Sequence, residues 1–265
     1  MANNLFSWKR FGLLLRKTIA ERPMQNVGVI ALLLVLSIIL YIVVKRLLWF
    51  SSAQNITFIW GLAGGGFFLA SFVFGYFNTN ANGSSYLTLP ASFLEKWLCA
   101  ILIAGVIYVS LFLLSFHLTD SFFVSAYHES LDPHLPFYQQ QYDSVYTFDL
   151  NGIIAWKVYS LYIILTGVML IGGLYFNKIP FIKTAIAFCL FAFAIIGINW
   201  LLANTMFYQM VEAGPYDHVR LMVGKQQGVI ILPQNIEKYF HYCISFIIPS
   251  ILWFLPLIRL REKEF

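Results

Sequence analysis

The sequence predicts an all-α integral membrane protein with six transmembrane helices, an amphipathic interfacial N-terminal helix before them and both termini in the cytoplasm. Three observations carry that prediction. Hydrophobic residues make up 60% of the 265 and charged residues 11%, against roughly 45–50% and about 25% in ordinary soluble domains. The apolar residues gather in six runs, each near the roughly 20 residues that a helix needs to cross hydrocarbon. Lysine and arginine are shared unevenly among the segments between those runs, which sets an orientation.

The first element, residues 5–22, is amphipathic rather than uniformly apolar. Leu5, Trp8, Phe11, Leu15 and Ile19 recur at three- and four-residue steps while Arg10, Lys17 and Glu21 fall on another face, the pattern of a helix lying in the headgroup plane. Its charges are spread along it, and Arg22-Pro23 follows without a small-residue cleavage pattern, so it is read as part of the fold and not as a signal peptide. The six spans are expected near 27–44, 56–77, 97–116, 153–176, 184–207 and 239–258. No repeat and no Pro/Gly/Ser linker divides the chain, so residues 1–265 are taken as one membrane domain.

Cytoplasmic flanks accumulate lysine and arginine. Lys9, Arg10, Arg16, Lys17 and Arg22 precede the first span, Lys178 and Lys183 lie between the fourth and fifth, and Arg259, Arg261 and Lys263 follow the sixth. The segment 118–150 has none of either and carries Asp120, Glu129, Asp132, Asp143 and Asp149, so it is expected outside. Lys45 and Arg46 run against this rule, but long side chains at a helix end reach the interface. The net charge of +5 follows this distribution, and no nucleic-acid partner is expected. Within the spans ionisable groups are scarce. Lys157 stands about one turn inside the fourth span and is read as snorkelling to the interface.

Several chemistries lack their residues. No Gly-x-x-x-x-Gly-Lys-[Ser/Thr] loop is present, and the Gly61–Gly66 cluster lacks the lysine and hydroxyl that hold a nucleotide phosphate. No His-Glu-x-x-His zinc site, Gly-x-Ser-x-Gly elbow or intramembrane carboxylate pair occurs. The chain is therefore not expected to be an enzyme. Cys99, Cys189 and Cys243 lie in apolar runs and read as small buried hydrophobes. The five histidines fall on or beside the expected outer segments; His128 and His134 have Glu129 and Asp132 nearby, but no His-x-x-x-His spacing puts two imidazoles on one helical face, and no metal is expected. The segment 208–238, with Gly214-Pro215, Gly224, Gly228 and Pro233, is long enough for short helices against the membrane.

Two features look functional. In the second span Gly61, Gly64, Gly65, Gly66, Ala70, Ser71 and Gly75 allow close helix contact, within the fold or, less often, across a dimer seam; Gly61, Gly65 and Gly75 are the packing candidates. Between the second and third spans lies Tyr-Leu-Thr-Leu-Pro-Ala-Ser-Phe-Leu-Glu-Lys-Trp, residues 86–97. Ser92 and Glu95 have the spacing of a capping box, which starts the third helix, and Pro90 with the restricted Leu89 makes a rigid elbow.

The amphipathic first helix, six spans with both ends inside, this elbow and an irregular segment before the sixth span together resemble the permease subunits of ABC-2 type ABC transporters. The elbow Leu-Thr-Leu-Pro-Ala-Ser-Phe-Leu-Glu-Lys is similar to the Leu-Pro-x-Ser-x-x-Glu-Lys element of that family's first cytoplasmic loop, and the Arg259–Phe265 tail to its short basic-acidic endings. The resemblance covers nearly the whole chain as topology and about ten residues as a motif. It implies a multi-pass protein of the bacterial cytoplasmic (inner) membrane that pairs with a second permease chain, as homodimer or heterodimer, and works with a cytosolic ABC ATPase subunit. It also implies that Leu89, Pro90, Ser92, Glu95 and Lys96 contact that ATPase. ATP and magnesium would be bound by the partner and no cofactor by this chain. A path lined by Phe, Tyr and Trp with few charges suits export of an amphipathic or apolar substrate. The alternative is a non-transporting membrane scaffold in which the elbow only caps a helix; a secondary carrier is disfavoured by the lack of coupling residues in the spans.

Overall fold

A computed structural model describes residues 6–263 apart from 22, 79, 135, 177, 208–209, 215–217, 224–225, 232–238 and 241. Of the residues named above, Leu5, Arg22, Pro215, Gly224, Pro233, His241, Glu264 and Phe265 lie outside the described ones. The chain is mostly helical. Among the described residues six helices are long and apolar enough to cross a membrane. A helix α1, Trp8–Glu21, precedes them. The six are α2 (Asn26–Leu47), α3 (Phe50–Val73), α5 (Phe93–Glu129), α7 (Ile153–Tyr175), α8 (Pro180–Met206) and α9 (Cys243–Lys263). Two short helices, α4 (Asn80–Leu87) and α6 (Tyr138–Asp143), lie on opposite sides of α5 in the chain.

The long helix α5 departs most from its expected span. It covers 37 residues, about 55 Å at 1.5 Å per residue, and so outruns a hydrocarbon core of about 30 Å. The polar run His117, Thr119 and Asp120 follows the expected end at Phe116. That run holds no helix breaker, and the polar groups find partners inside: Thr119 donates to the Ser115 carbonyl and Asp120 is buried under three donors.

Two apolar clusters hold the bundle. One, at the elbow end, joins Leu14 of α1, Phe74, Tyr86, Cys99, Leu170 of α7 and Leu260 of α9, so the first and last helices meet the elbow at the same end of the molecule. The other joins Tyr41, Phe58, Leu62, Tyr108, Phe112, Phe116 and Tyr162. In it Tyr108, Phe112 and Phe116 stack one helical turn apart along α5, and Phe58 packs on Phe112, Phe116, Phe148 and Tyr159.

The glycines of α3 open the space for those rings. A methyl group on Gly61 would strike the Phe112 ring, on Gly65 the Tyr108 hydroxyl and on Gly66 the Tyr162 ring. The stripe therefore packs against α5 and α7 of its own chain. Gly75 is buried and starts the short 3-10 turn Gly75–Asn78 that leaves α3. π-helical turns interrupt α3 at Ile59–Gly64 and α5 at Leu102–Ile107. A widened turn disturbs the regular ladder and frees carbonyls that hydrocarbon cannot solvate. Tyr108 donates its hydroxyl to the Gly61 carbonyl and Tyr162 to the Ala104 carbonyl, which explains two phenols buried among apolar helices.

The described residues of the segment 208–238, which was read as long enough for short helices, form a sheet. Strands β1 (Met210–Ala213), β2 (His218–Val223) and β3 (Gln226–Ile231) pair antiparallel in the order β1-β2-β3. Val219 pairs with Ile230 and Leu221 with Gly228, and Glu212 meets Arg220 across β1 and β2 at 3.0 Å. Runs of Val, Leu, Ile and Met favour a pleated strand over a helix when turn residues bound them.

Candidate functional site

The elbow is built from the end of α4 to the first turn of α5. Ala91 N donates to the Leu89 carbonyl at 2.7 Å, a tight three-residue turn that the fixed backbone angle of Pro90 favours. Ser92 then caps α5. Its hydroxyl accepts from Glu95 N at 3.3 Å, and Glu95 Oε2 accepts from Ser92 N at 2.9 Å, the reciprocal capping box that the spacing predicted.

Glu95 does more than cap its own helix. Its Oε1 accepts from Ser7 N at 2.8 Å and from Arg10 Nε and Nη2 at 3.3 and 3.1 Å. Ser7 directly precedes α1, so one carboxylate serves the N-termini of two helices, where unpaired amides and the helix dipole both favour negative charge. Glu95 is wholly buried, and the Arg10 side chain is 34% exposed.

Lys96 uses the opposite helix pole. It is 1% exposed, and its Nζ donates to the Leu87 carbonyl at 3.0 Å, at the C-terminus of α4, where the dipole favours a cation. It also lies 5.8 Å from the centre of the Tyr86 ring. Tyr86 stacks on Tyr76 at 4.6 Å; burial first, then the neighbouring Cys99 and Tyr76, push its phenol above the ordinary range, so it stays a neutral packing group.

Further ties fix α1 to its neighbours. Asn26 Nδ2 donates to the Thr18 carbonyl at 2.7 Å, and Thr18 donates to the Leu14 carbonyl. Phe11 and Leu15 pack on the elbow-end core, whereas Trp8 is 78% exposed. Of the apolar face read from the sequence, the middle packs on protein and Trp8 is left for other surroundings.

The five elbow residues therefore divide. Glu95 and Lys96 point inward and hold neighbouring helices, so neither presents a surface to a partner. Ser92 is the cap, and Leu89 is half-buried against the core. Pro90 and Thr88 are exposed. Arg10, Leu13, Lys17, Leu89, Pro90 and Ala91 line a groove of about 240 Å³ between α1 and the elbow. No family model, curated protein or solved structure matches this chain.

Sequence reasoning missed a second buried carboxylate. Asp120 is 1% exposed. Its Oδ1 accepts from the Tyr41 hydroxyl at 2.7 Å and from Gln54 Nε2 at 2.9 Å, and its Oδ2 from Phe148 N at 2.7 Å. Gln54 also donates to the Tyr146 carbonyl at 2.8 Å. Asp120 so gathers α2, α3 and the segment before α7 around the far end of α5. Lys45 lies 4.4 Å from the centre of the Phe123 ring, which stacks on Tyr41; the aromatic faces account for a cation on this side of the bundle. His128 bonds to the Val145 carbonyl at 2.8 Å and stacks on Tyr142 at 3.9 Å. Among the described residues no three His, Cys, Asp or Glu side chains gather as a metal set.

Proposed function

We propose that this chain is the permease subunit of an ABC-2 type transporter in a bacterial cytoplasmic membrane. In this reading it pairs with a second permease chain and exports an amphipathic or apolar substrate, driven by ATP bound with magnesium on a separate ATPase subunit. The observation that carries the reading is the joint at Glu95, a buried carboxylate that locks α1, the elbow and the first turn of the longest helix into one piece. A force on an ordinary loop is lost in bending it. A force on this elbow moves α5 along its length, which is the property that transmission from an ATPase to a membrane path requires. The basic residues at the elbow end, from Arg10 and Lys17 to Arg259 and Lys263, support a cytoplasmic position for both termini.

In this reading Glu95 and Lys96, both buried, serve transmission rather than contact. Docking then falls to Thr88, Pro90 and the groove beside Arg10 and Lys17. Thr88→Arg is the test, because Thr88 is exposed and, among the described residues, its hydroxyl bonds only the nearby Ser85 carbonyl. Wild type purified in mild detergent should bring down a Walker-loop ATPase. Thr88→Arg should accumulate normally and lose that subunit. Absence of an ATPase from the wild-type preparation, or its undiminished retention by Thr88→Arg, returns the chain to the scaffold reading.

A further inference from the structure

A wide cleft lies away from the elbow, between the first half of α7 and the start of α9. It has a volume of about 710 Å³, and its walls include Trp156, Lys157, Ser160 and Ile163 of α7 and Ser245 and Phe246 of α9. The α9 wall is the π-helical turn Cys243–Ile247, a widened backbone of the kind that recurs at binding sites. Among the described residues no carboxylate lines the cleft.

Lys157 stands out in this setting. Among the described residues no hydrogen bond, ion pair or aromatic face engages its ammonium group. The Ser245 hydroxyl across the cleft is equally unspent, while Ser160 donates to the Trp156 carbonyl at 3.1 Å. A lysine in a membrane helix ordinarily pairs with an acid or a backbone carbonyl. Here a cation and a hydroxyl face an apolar furrow with aromatic residues at its rim, an arrangement complementary to an anion carried on a hydrocarbon chain. The bilayer supplies that chemistry, and basic pockets between membrane helices take lipid headgroups.

We propose that this cleft is a binding site for an anionic phospholipid, its phosphate held by Lys157 and the Ser245 hydroxyl and one acyl chain laid along Ile163, Ile164 and Phe246. The site needs no ATPase and stands apart from the coupling role. Native mass spectrometry of the detergent-purified chain, titrated with phosphatidylglycerol or phosphatidylcholine of matched chains, tests it. Wild type should retain phosphatidylglycerol about five-fold more tightly, the factor that one lysine near an anionic headgroup supplies. Lys157→Gln should bring the two lipids to parity, and Lys157→Arg should keep the preference. Lys178→Gln, which removes a charge at the other end of the bundle, should also keep it. Soluble glycerol phosphate should fail to displace the bound lipid. Parity in wild type, an unchanged preference in Lys157→Gln, or a loss in Lys178→Gln equal to that in Lys157→Gln overturns the proposal. Displacement by glycerol phosphate would make the site one for a free phosphate and overturns it as well.

Discussion

The two ends of α5 each bury a carboxylate that ties distant elements together, and they do so by opposite means. Glu95 shares its charge with the Arg10 guanidinium and two backbone amides, those of Ser92 and Ser7. Among the described residues Asp120 accepts only from neutral donors: a phenol, an amide side chain and one backbone N–H. A paired charge tolerates loss of a neutral partner, since water or the remaining cation compensates. A carboxylate held by neutral groups alone depends on every one of them, because low-dielectric surroundings make each unmet group costly. The elbow end is thus built to survive displacement as a unit. The far end is built to stay fixed.

The largest expected effect follows at the fixed end. Asp120→Ala strands the Tyr41 hydroxyl, the Gln54 amide and the Phe148 N–H, each worth about 1–3 kcal/mol when buried without a partner. Partial hydration lowers the sum, so a loss of about 3–5 kcal/mol is expected from thermal unfolding in detergent. Hydrogen exchange should rise at residues 146–148 first. A loss below about 1 kcal/mol would mean that water replaces the carboxylate freely and that the two ends do not differ in kind.

Glu95→Gln comes next. Glutamine retains the reach to Ser92 N, so the capping box survives, but the charge that held Arg10 and Ser7 is gone. About 2 kcal/mol is expected, set by the hydrogen bonds to a charged group, with release of α1 seen as new proteolysis before Pro23. Stability equal to wild type would leave the capping box as the whole of the joint. Tyr41→Phe, which removes one neutral donor from Asp120, should cost about 1.5 kcal/mol and leave α1 undisturbed.

What the sequence made legible divides along the same line. Ser92 and Glu95 were readable because a capping box is local, four residues from end to end, and the structure forms it. Six helices of membrane length were readable because hydrocarbon demands contiguous apolar residues. Arg10 and Glu95 stand 85 positions apart, and Tyr41 and Asp120 stand 79 apart; no periodicity reports such pairs. Asp120 fell in the segment 118–150 expected outside, yet the helix runs on through it to Glu129. The sheet was hidden for another reason. Val219–Val223 and Gly228–Ile231 carry β-branched residues between Gly and Pro turn signals, yet short apolar runs suit helix and strand alike until their neighbours are known. The glycines of α3 were readable as close-packing residues, but only coordinates show that Phe112, Tyr108 and Tyr162 fill the space.

The smallest effect separates the two ends most cleanly, because it depends on salt. Arg10 is partly exposed, so its pair with Glu95 is screened by solvent, and Arg10→Ala is expected to cost only about 0.5–1 kcal/mol. That contribution is electrostatic. Raising ionic strength to 1 M shortens the screening length to about 3 Å, so the gap between wild type and Arg10→Ala should narrow. The Tyr41→Phe gap should not, since a buried hydrogen bond between a phenol and Asp120 lies beyond the reach of salt. Each variant is therefore unfolded at low and at high salt, and the two differences are compared. Equal salt dependence at both sites would show that Asp120 senses solvent as Glu95 does through Arg10, and the contrast between a movable and a fixed end of α5 would fail. Salt dependence confined to Arg10 would place the adjustable charge at the elbow, beside the groove proposed for docking.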